Sequence, residues 1–290
     1  MLKRNAALLF ALFSCACSAL AGPLVSGVRS KIAAGDLQSG IAAAEDYKRA
    51  SGVDAEYLNA IGWIARGAQM LQQFDLADRY LAELHREIPA EKEDLVVPFG
   101  AAIEVEGRLR LAREGRGAAL RYFERALAPA KDPALRARIW KNINLLTLEG
   151  APAPALMSDA TKGKPVLVFL WANWCGDCKA QAPSLARVWQ RYRARGLVLL
   201  AATRLYGTVD EKPATPDEEK ARIDQVWRET YAGLDGATVV VDNDADIRYG
   251  ASATPTFVLV DRNGTVRLYT PTRLSEEELS RQLDAMFESK

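Results

Sequence analysis

Cys175 and Cys178, separated by Gly176 and Asp177, carry the plainest chemistry in this 290-residue sequence. Two thiols at this spacing can close a disulfide when the first stands at the start of a helix. The unsatisfied N–H groups and the positive end of the helix dipole there stabilise a thiolate. Such a thiolate attacks a disulfide sulfur, and the second thiol resolves the mixed disulfide that results. Cys175 is therefore the expected nucleophile and Cys178 the resolving thiol. Trp174, Gly176 and Asp177 immediately around them are expected to support the pair, Trp174 as a shield and Asp177 by disfavouring the thiolate, with Lys179 partly offsetting it. A metal is not expected. The one histidine, His85, is remote in sequence, and two cysteines with one distant histidine make no four-ligand zinc site without carboxylates. Lys179 stands where a haem-attachment motif needs a histidine, and no cofactor is expected.

These cysteines need a strand before them and a helix after them. Pro165 to Leu170 is an apolar run that reads as a buried strand. The helix after Cys175 reads on to about Arg195, with Pro183 inside it as a kink, and Gly196 ends it. Leu197 to Thr203 is a second strand, and strand, helix, strand at this spacing predicts a parallel βαβ unit. Arg204 to Pro213 is a polar loop. Thr215-Pro216-Asp217-Glu218 is a capped helix start, with a helix to about Ala232 and a strand at Thr238–Val241. Asp242 to Asp246 lacks the glycine and distal glutamate of a calcium loop and reads as a solvated turn. Thr254-Pro255-Thr256 leads into the strand Phe257–Val260. Asn263-Gly264 is a hairpin turn, Thr265–Thr270 its second strand, and Ser275 with Glu278 opens a last helix to about Glu288.

Upstream the pattern differs. Lys3 and Arg4, the apolar run Ala6–Phe13 and Ala19-Leu20-Ala21 make residues 1–21 an expected signal peptide. A second reading is a lipoprotein signal with a lipid anchor at Cys15. Either reading sends the chain to the periplasm or another extracytoplasmic compartment, where a disulfide persists. Residues 22–150 read as helix after helix. Gly107, Ala119, Phe123 and Ala126 fall at the packing positions of a tetratricopeptide repeat, with looser matches at Ala34–Ala44 and Gln73–Leu84. This predicts a degenerate helical-repeat domain, either a scaffold presenting a groove or a packed companion domain. Lys92 to Pro98 reads as an irregular link. The prolines and small residues from Gly150 onward place a linker at 151–163, leaving 164–290 as the second domain. The formal net charge of +1 points to neither nucleic acid nor an acidic membrane surface.

Residues 164–290 resemble the thioredoxin superfamily, and within it the exported TlpA-type thiol-disulfide reductases. Trp174-Cys175-Gly176-Asp177-Cys178-Lys179, Pro183, Thr254-Pro255-Thr256 and Asp261-Arg262-Asn263-Gly264 carry the resemblance, in order. It implies an all-α helical-repeat domain followed by an α/β thioredoxin-like domain. It implies a cis Thr254–Pro255 bond, with Thr254 and Pro255 docking the substrate, and a protein-disulfide reductase acting on client proteins and fed by a membrane electron donor. Two positions depart from the pattern: Phe169 and Gln181 stand where many relatives carry the carboxylate that takes the proton of the second thiol. The alternatives are a dithiol oxidase or isomerase running the pair the other way, and a helical-repeat adaptor whose second domain only binds partners.

Overall fold

The computed structural model describes residues 22–156 and 161–288. Residues 1–21, read above as an expected signal peptide and including Cys15 and Cys17, lie outside these residues. The chain divides into two compact units, one up to Asn142 and one from Ile143. An all-α region precedes an α/β region, as the sequence predicts.

The first region holds α1 (Pro23–Ala33), α2 (Leu37–Ser51), α3 (Ala55–Met70), α4 (Phe74–Glu87), α5 (Val96–Glu114), α6 (Arg116–Leu127) and α7 (Pro133–Thr147). Their starts are set by local chemistry. Asp36 accepts from the Ser39 N–H and Asp54 from the Tyr57 N–H, each satisfying a donor that the helix leaves unpaired. Ala60, Ile61, Ile64 and Ala68 of α3 recur at helical spacing and are wholly buried. Gly107 of α5 faces Phe123 of α6 so closely that a Cβ there would stand 2.0 Å from the ring. The small residue lets the helices approach and the aromatic fills the gap, as the spacing suggests. The stretch read as an irregular link is short: a 3-10 turn covers Glu93–Leu95, and α5 begins at Val96 with Pro98 in its first turn, where a missing N–H is harmless.

The second region is a five-stranded sheet in the order β5-β2-β1-β6-β7. Its strands are β1 (Val166–Leu170), β2 (Val198–Thr203), β5 (Thr238–Val241), β6 (Thr256–Val260) and β7 (Val266–Thr270). β2 runs parallel to β1, β5 parallel to β2, and β6 and β7 antiparallel. β1 is central and buried on both sides, which is why it reads as an unbroken apolar run. Its side chains alternate: Leu167 and Phe169 join a core with Leu185, Val188 and Leu283, while Val166, Val168 and Leu170 join a core with Tyr249, Val258 and Tyr269. The helices are α8 (Gly176–Tyr192), α9 (Pro216–Thr230), α10 (Asn243–Arg248) and α11 (Glu276–Glu288). α8 runs through Pro183 and ends in a 3-10 turn before Gly196, whose φ of 90° suits glycine. The polar loop after β2 holds a short hairpin, β3 (Thr208–Val209) and β4 (Lys212–Pro213).

One sequence expectation gives way here. Asp242 to Asp246 is not a solvated turn: Asp242 caps α10, and Asp246 inside it has no exposed surface. A helical turn after β5 carries that carboxylate inward. The division between units falls within α7, ahead of the proline segment. The last turn of α7 is bonded into the α/β unit, with Asn144 donating to the Arg248 carbonyl and Leu148 in the sheet core. The segment after it is extended and paired: Gly150 N–H reaches Val266 O, Val266 N–H reaches Ala151 O, and Pro152 bridges Thr265.

Among the described residues no helix is long and apolar enough to cross a membrane.

Candidate active site

Cys175 is the N-cap of α8 and is joined to Cys178 by a disulfide. The chain leaves β1 at Leu170, and Trp171 N–H reaches Ala202 O, so the sheet fixes the direction in which the cysteines emerge. The Cys175 N–H then bonds Ala172 O, making the turn that sets the helix start. Cys175 Sγ accepts the Cys178 N–H at 3.1 Å. This is one of the donors that a helix leaves unpaired at its first turn. In the reduced chain it points at the Cys175 thiolate and stabilises it, together with the helix dipole. Both sulfurs are buried, while Trp174 beside them is 39 % exposed.

The Thr254–Pro255 bond is cis, as the resemblance implies, and the Thr254 carbonyl oxygen lies 3.4 Å from Cys175 Sγ. In the reduced chain a Cys175 thiol can donate to that oxygen. Thr254 Oγ1, Asn173 Nδ2 and Trp171 Nε1 are buried near this junction without hydrogen-bond partners among the described residues. Such groups are costly to leave unpaired. Asn173 drew no attention in the sequence because a lone asparagine in a loop is ordinary.

The residues at the departed positions are committed elsewhere. Phe169 packs against Phe257 at 5.4 Å and Tyr231 at 5.8 Å between ring centroids. Gln181 is buried and bonded to Ser184 and Leu274. Asp177 is paired with Arg273, Nη1 to Oδ1 at 3.7 Å, a cation that nothing local in the sequence connects to the motif. A Cβ at Gly176 would meet nothing within 4 Å.

Trp174 rests edge-on against Tyr206 at 5.3 Å, and the Arg204 guanidinium lies 4.6 Å over the Tyr206 ring. Glu219, fully buried, accepts the Tyr206 and Gly207 N–H groups and holds that loop. Arg204 Nε is 3.2 Å from Asp246 Oδ2. Burial pushes the Asp246 carboxyl up to about 7; Arg204 opposes the rise and Asp242 adds to it. Burial likewise pushes the Tyr206 phenol up.

This strand, cysteine-capped helix and cis-proline loop lie within a stretch that matches a family model. Residues 141–269 match the AhpC/TSA family. The α/β unit is a thioredoxin-like domain. It is similar to thiol-disulfide oxidoreductase ResA of Geobacillus thermodenitrificans, 24% identical over 129 residues, which cover 43% of this chain and 64% of that protein. It is also similar to thioredoxin-like protein YneN of Bacillus subtilis, 25% identical over 143 residues, 49% of this chain and 75% of that one. A thiol:disulfide interchange protein of the thioredoxin family from Chlorobium tepidum superposes with a TM-score of 0.39 at 17% identity, over 48% of this chain and 97% of that one. The helical region before residue 141 lies outside the family match.

Proposed function

We propose that this chain is an extracytoplasmic protein-disulfide reductase working through Cys175 and Cys178. The observation that carries the reading is Cys175 at the α8 N-cap, with the Cys178 N–H on its sulfur and the cis-proline loop against it. The Cys175 thiolate attacks one sulfur of a client disulfide. A Cys175–client disulfide forms, the client bond breaks, and the departing client thiolate takes a proton. The Cys178 thiolate then attacks Cys175 Sγ, giving the Cys175–Cys178 disulfide and a second client thiol. The client gains two electrons and the pair loses them; a dithiol donor at the membrane restores them. Trp174 shields the pair, Gly176 and Asp177 shape the turn between the cysteines, and Thr254 and Pro255 receive the client backbone. Cys175 is fully buried in the disulfide, so the dithiol donor reaches its sulfur only after the residues around it shift.

The reverse direction, a dithiol oxidase, is favoured by one observation: Arg273 brings a cation to Asp177 and so offsets the one carboxylate between the thiols. The deciding measurement is the reduction potential of the pair, by equilibration with glutathione or dithiothreitol. A value near or below about −270 mV supports the reductase, and a value near about −120 mV replaces it with the oxidase. A natural chain that shows no reductase activity, and whose Cys175→Ser variant binds client as tightly, would make the second domain an adaptor.

A further inference from the structure

Four basic side chains converge on one carboxylate inside the helical unit. α3 supplies Arg66, α5 supplies Glu104 and Arg108, and α7 supplies Arg138 and Lys141. Glu104 is 1 % exposed and Lys141 5 %. Arg108 Nη2 lies 2.8 Å from Glu104 Oε1, while Arg138 Nε at 2.8 Å and Lys141 Nζ at 3.1 Å donate to Oε2. Arg66 is close enough to act electrostatically on Glu104, Arg108 and Lys141. Its guanidinium sits 5.3 Å over the Trp63 ring. Arg66 Nε is buried without a hydrogen-bond partner among the described residues, and so is the Gln69 Oε1 three residues along the same helix.

The charges do not balance. Four cations face one carboxylate, leaving three positive charges unmatched when Lys141 is protonated. Glu104 is buried, which would raise its pKa, yet the surrounding cations hold it well below the ordinary carboxylate range. Burial pulls Lys141 down to about 8 against the attraction of Glu104, and Arg66, Arg138 and Arg108 add to the fall. Like charges taken out of water without a counter-charge are strongly unfavourable. A structural ion pair needs one cation for Glu104, not four. The surplus is what an anion site needs, with planar guanidinium forks matched to oxygen pairs. The Arg108 and Arg138 side chains remain 21 % and 20 % exposed, so the cluster reaches solvent at these two guanidinium groups.

We propose that Arg66, Arg108, Arg138 and Lys141 form a binding site for an oxyanion of the carboxylate or phosphate class. Arg66 supplies the free Nε donor, Gln69 supplies an amide that can turn its NH2 inward, and Glu104 holds Arg108, Arg138 and Lys141 in place. The site lies wholly within the helical unit and is independent of the cysteine pair.

The test is calorimetric titration of the full oxidised chain with inorganic phosphate and, separately, with succinate, at low ionic strength in a buffer free of other oxyanions. Saturable binding of one or both is expected, and the tighter of the two names the class. Arg66→Gln should weaken it at least tenfold, and Arg66→Lys should restore part of the loss; circular dichroism establishes that both variants fold. Absence of saturable binding by either anion overturns the proposal. So does an Arg66→Gln chain that binds as tightly as the natural one. Neither result bears on the redox potential, so the reductase reading stands or falls separately.

Discussion

The side-chain amide of Gln181 grips the backbone of Leu274 in both directions: Nε2 donates to the Leu274 carbonyl at 2.8 Å, and Oε1 accepts the Leu274 N–H at 3.1 Å. This ties α8 to the segment that leads into α11. A glutamate at the same place can accept the N–H but cannot donate to the carbonyl, and it sets a negative oxygen against it. Gln181→Glu should therefore destabilise the chain by about 1–3 kcal/mol. Chemical denaturation of the oxidised protein reads this directly. An unchanged midpoint would mean that the clamp contributes nothing.

The Arg273–Asp177 pair predicts how the thiol responds to charge. Removing the guanidinium in Arg273→Ala leaves Asp177 uncompensated beside Cys175. The Cys175 thiolate should become less stable and its pKa should rise, an effect screened because both partners are partly exposed. A less stable thiolate makes the pair more reducing, so the potential should move to more negative values. Asp177→Asn should move both quantities the opposite way. Thiolate absorbance against pH, with the potential of each variant, checks the signs.

Asp246 predicts a pH dependence of stability. Its folded-state pKa of about 7 lies above the ordinary aspartate value, so the folded chain keeps a proton that the unfolded chain releases. On this account stability is full below about pH 4 and is lost as pH rises to about 7, by an amount on the order of 4 kcal/mol. The groups that set the size are Arg204, which limits the loss, and Asp242, which adds to it. Asp246→Asn has no carboxylate to ionise. Its melting temperature relative to the natural chain should climb from pH 5 to pH 8, and a constant difference across that range would contradict the assignment.

Gly107 predicts a steric failure in the helical unit. A Cβ there would lie 2.0 Å from Phe123 Cζ, so Gly107→Ala must push α5 and α6 apart or turn the ring. Overpacking of this kind costs about 1–3 kcal/mol or more. Pairing it with Phe123→Leu, which clears the space, should recover part of the loss, and a thermal melt of the two variants decides.

These cases show where the sequence was legible. β1, α8 and the cysteine turn are written in adjacent residues: an apolar run, a helix start, a proline loop. Gly107 and Phe123 were visible as a small residue and an aromatic on two consecutive helices, close enough along the chain for the pairing to be read. Asp246 was not, because an acidic run is solvated by default and its burial depends on how α10 turns back toward Arg204, the first residue of the loop after β2. Arg273 and Leu274 lie far along the chain from Asp177 and Gln181, and only the closed fold joins them. The cationic cluster hid for the same reason: Arg66, Arg108 and the Arg138–Lys141 pair sit on three different helices, and on each helix alone they describe a wetted face.

The pairing of Gly150 to Ala153 with the start of β7 has a practical consequence. β7 is the outermost strand on its side, with N–H and C=O groups that could recruit another chain. The Gly150, Ala151 and Ala153 bonds occupy part of that row. Pro152 and Pro154, with no N–H to offer, keep the covering segment from growing into a ladder of its own. A chain trimmed to begin at residue 164 would uncover this border and remove Leu148 from the sheet core. One beginning at Ile143 would carry its own seal, and of the two pieces it is the one to expect in solution as a monomer rather than as stacked sheets.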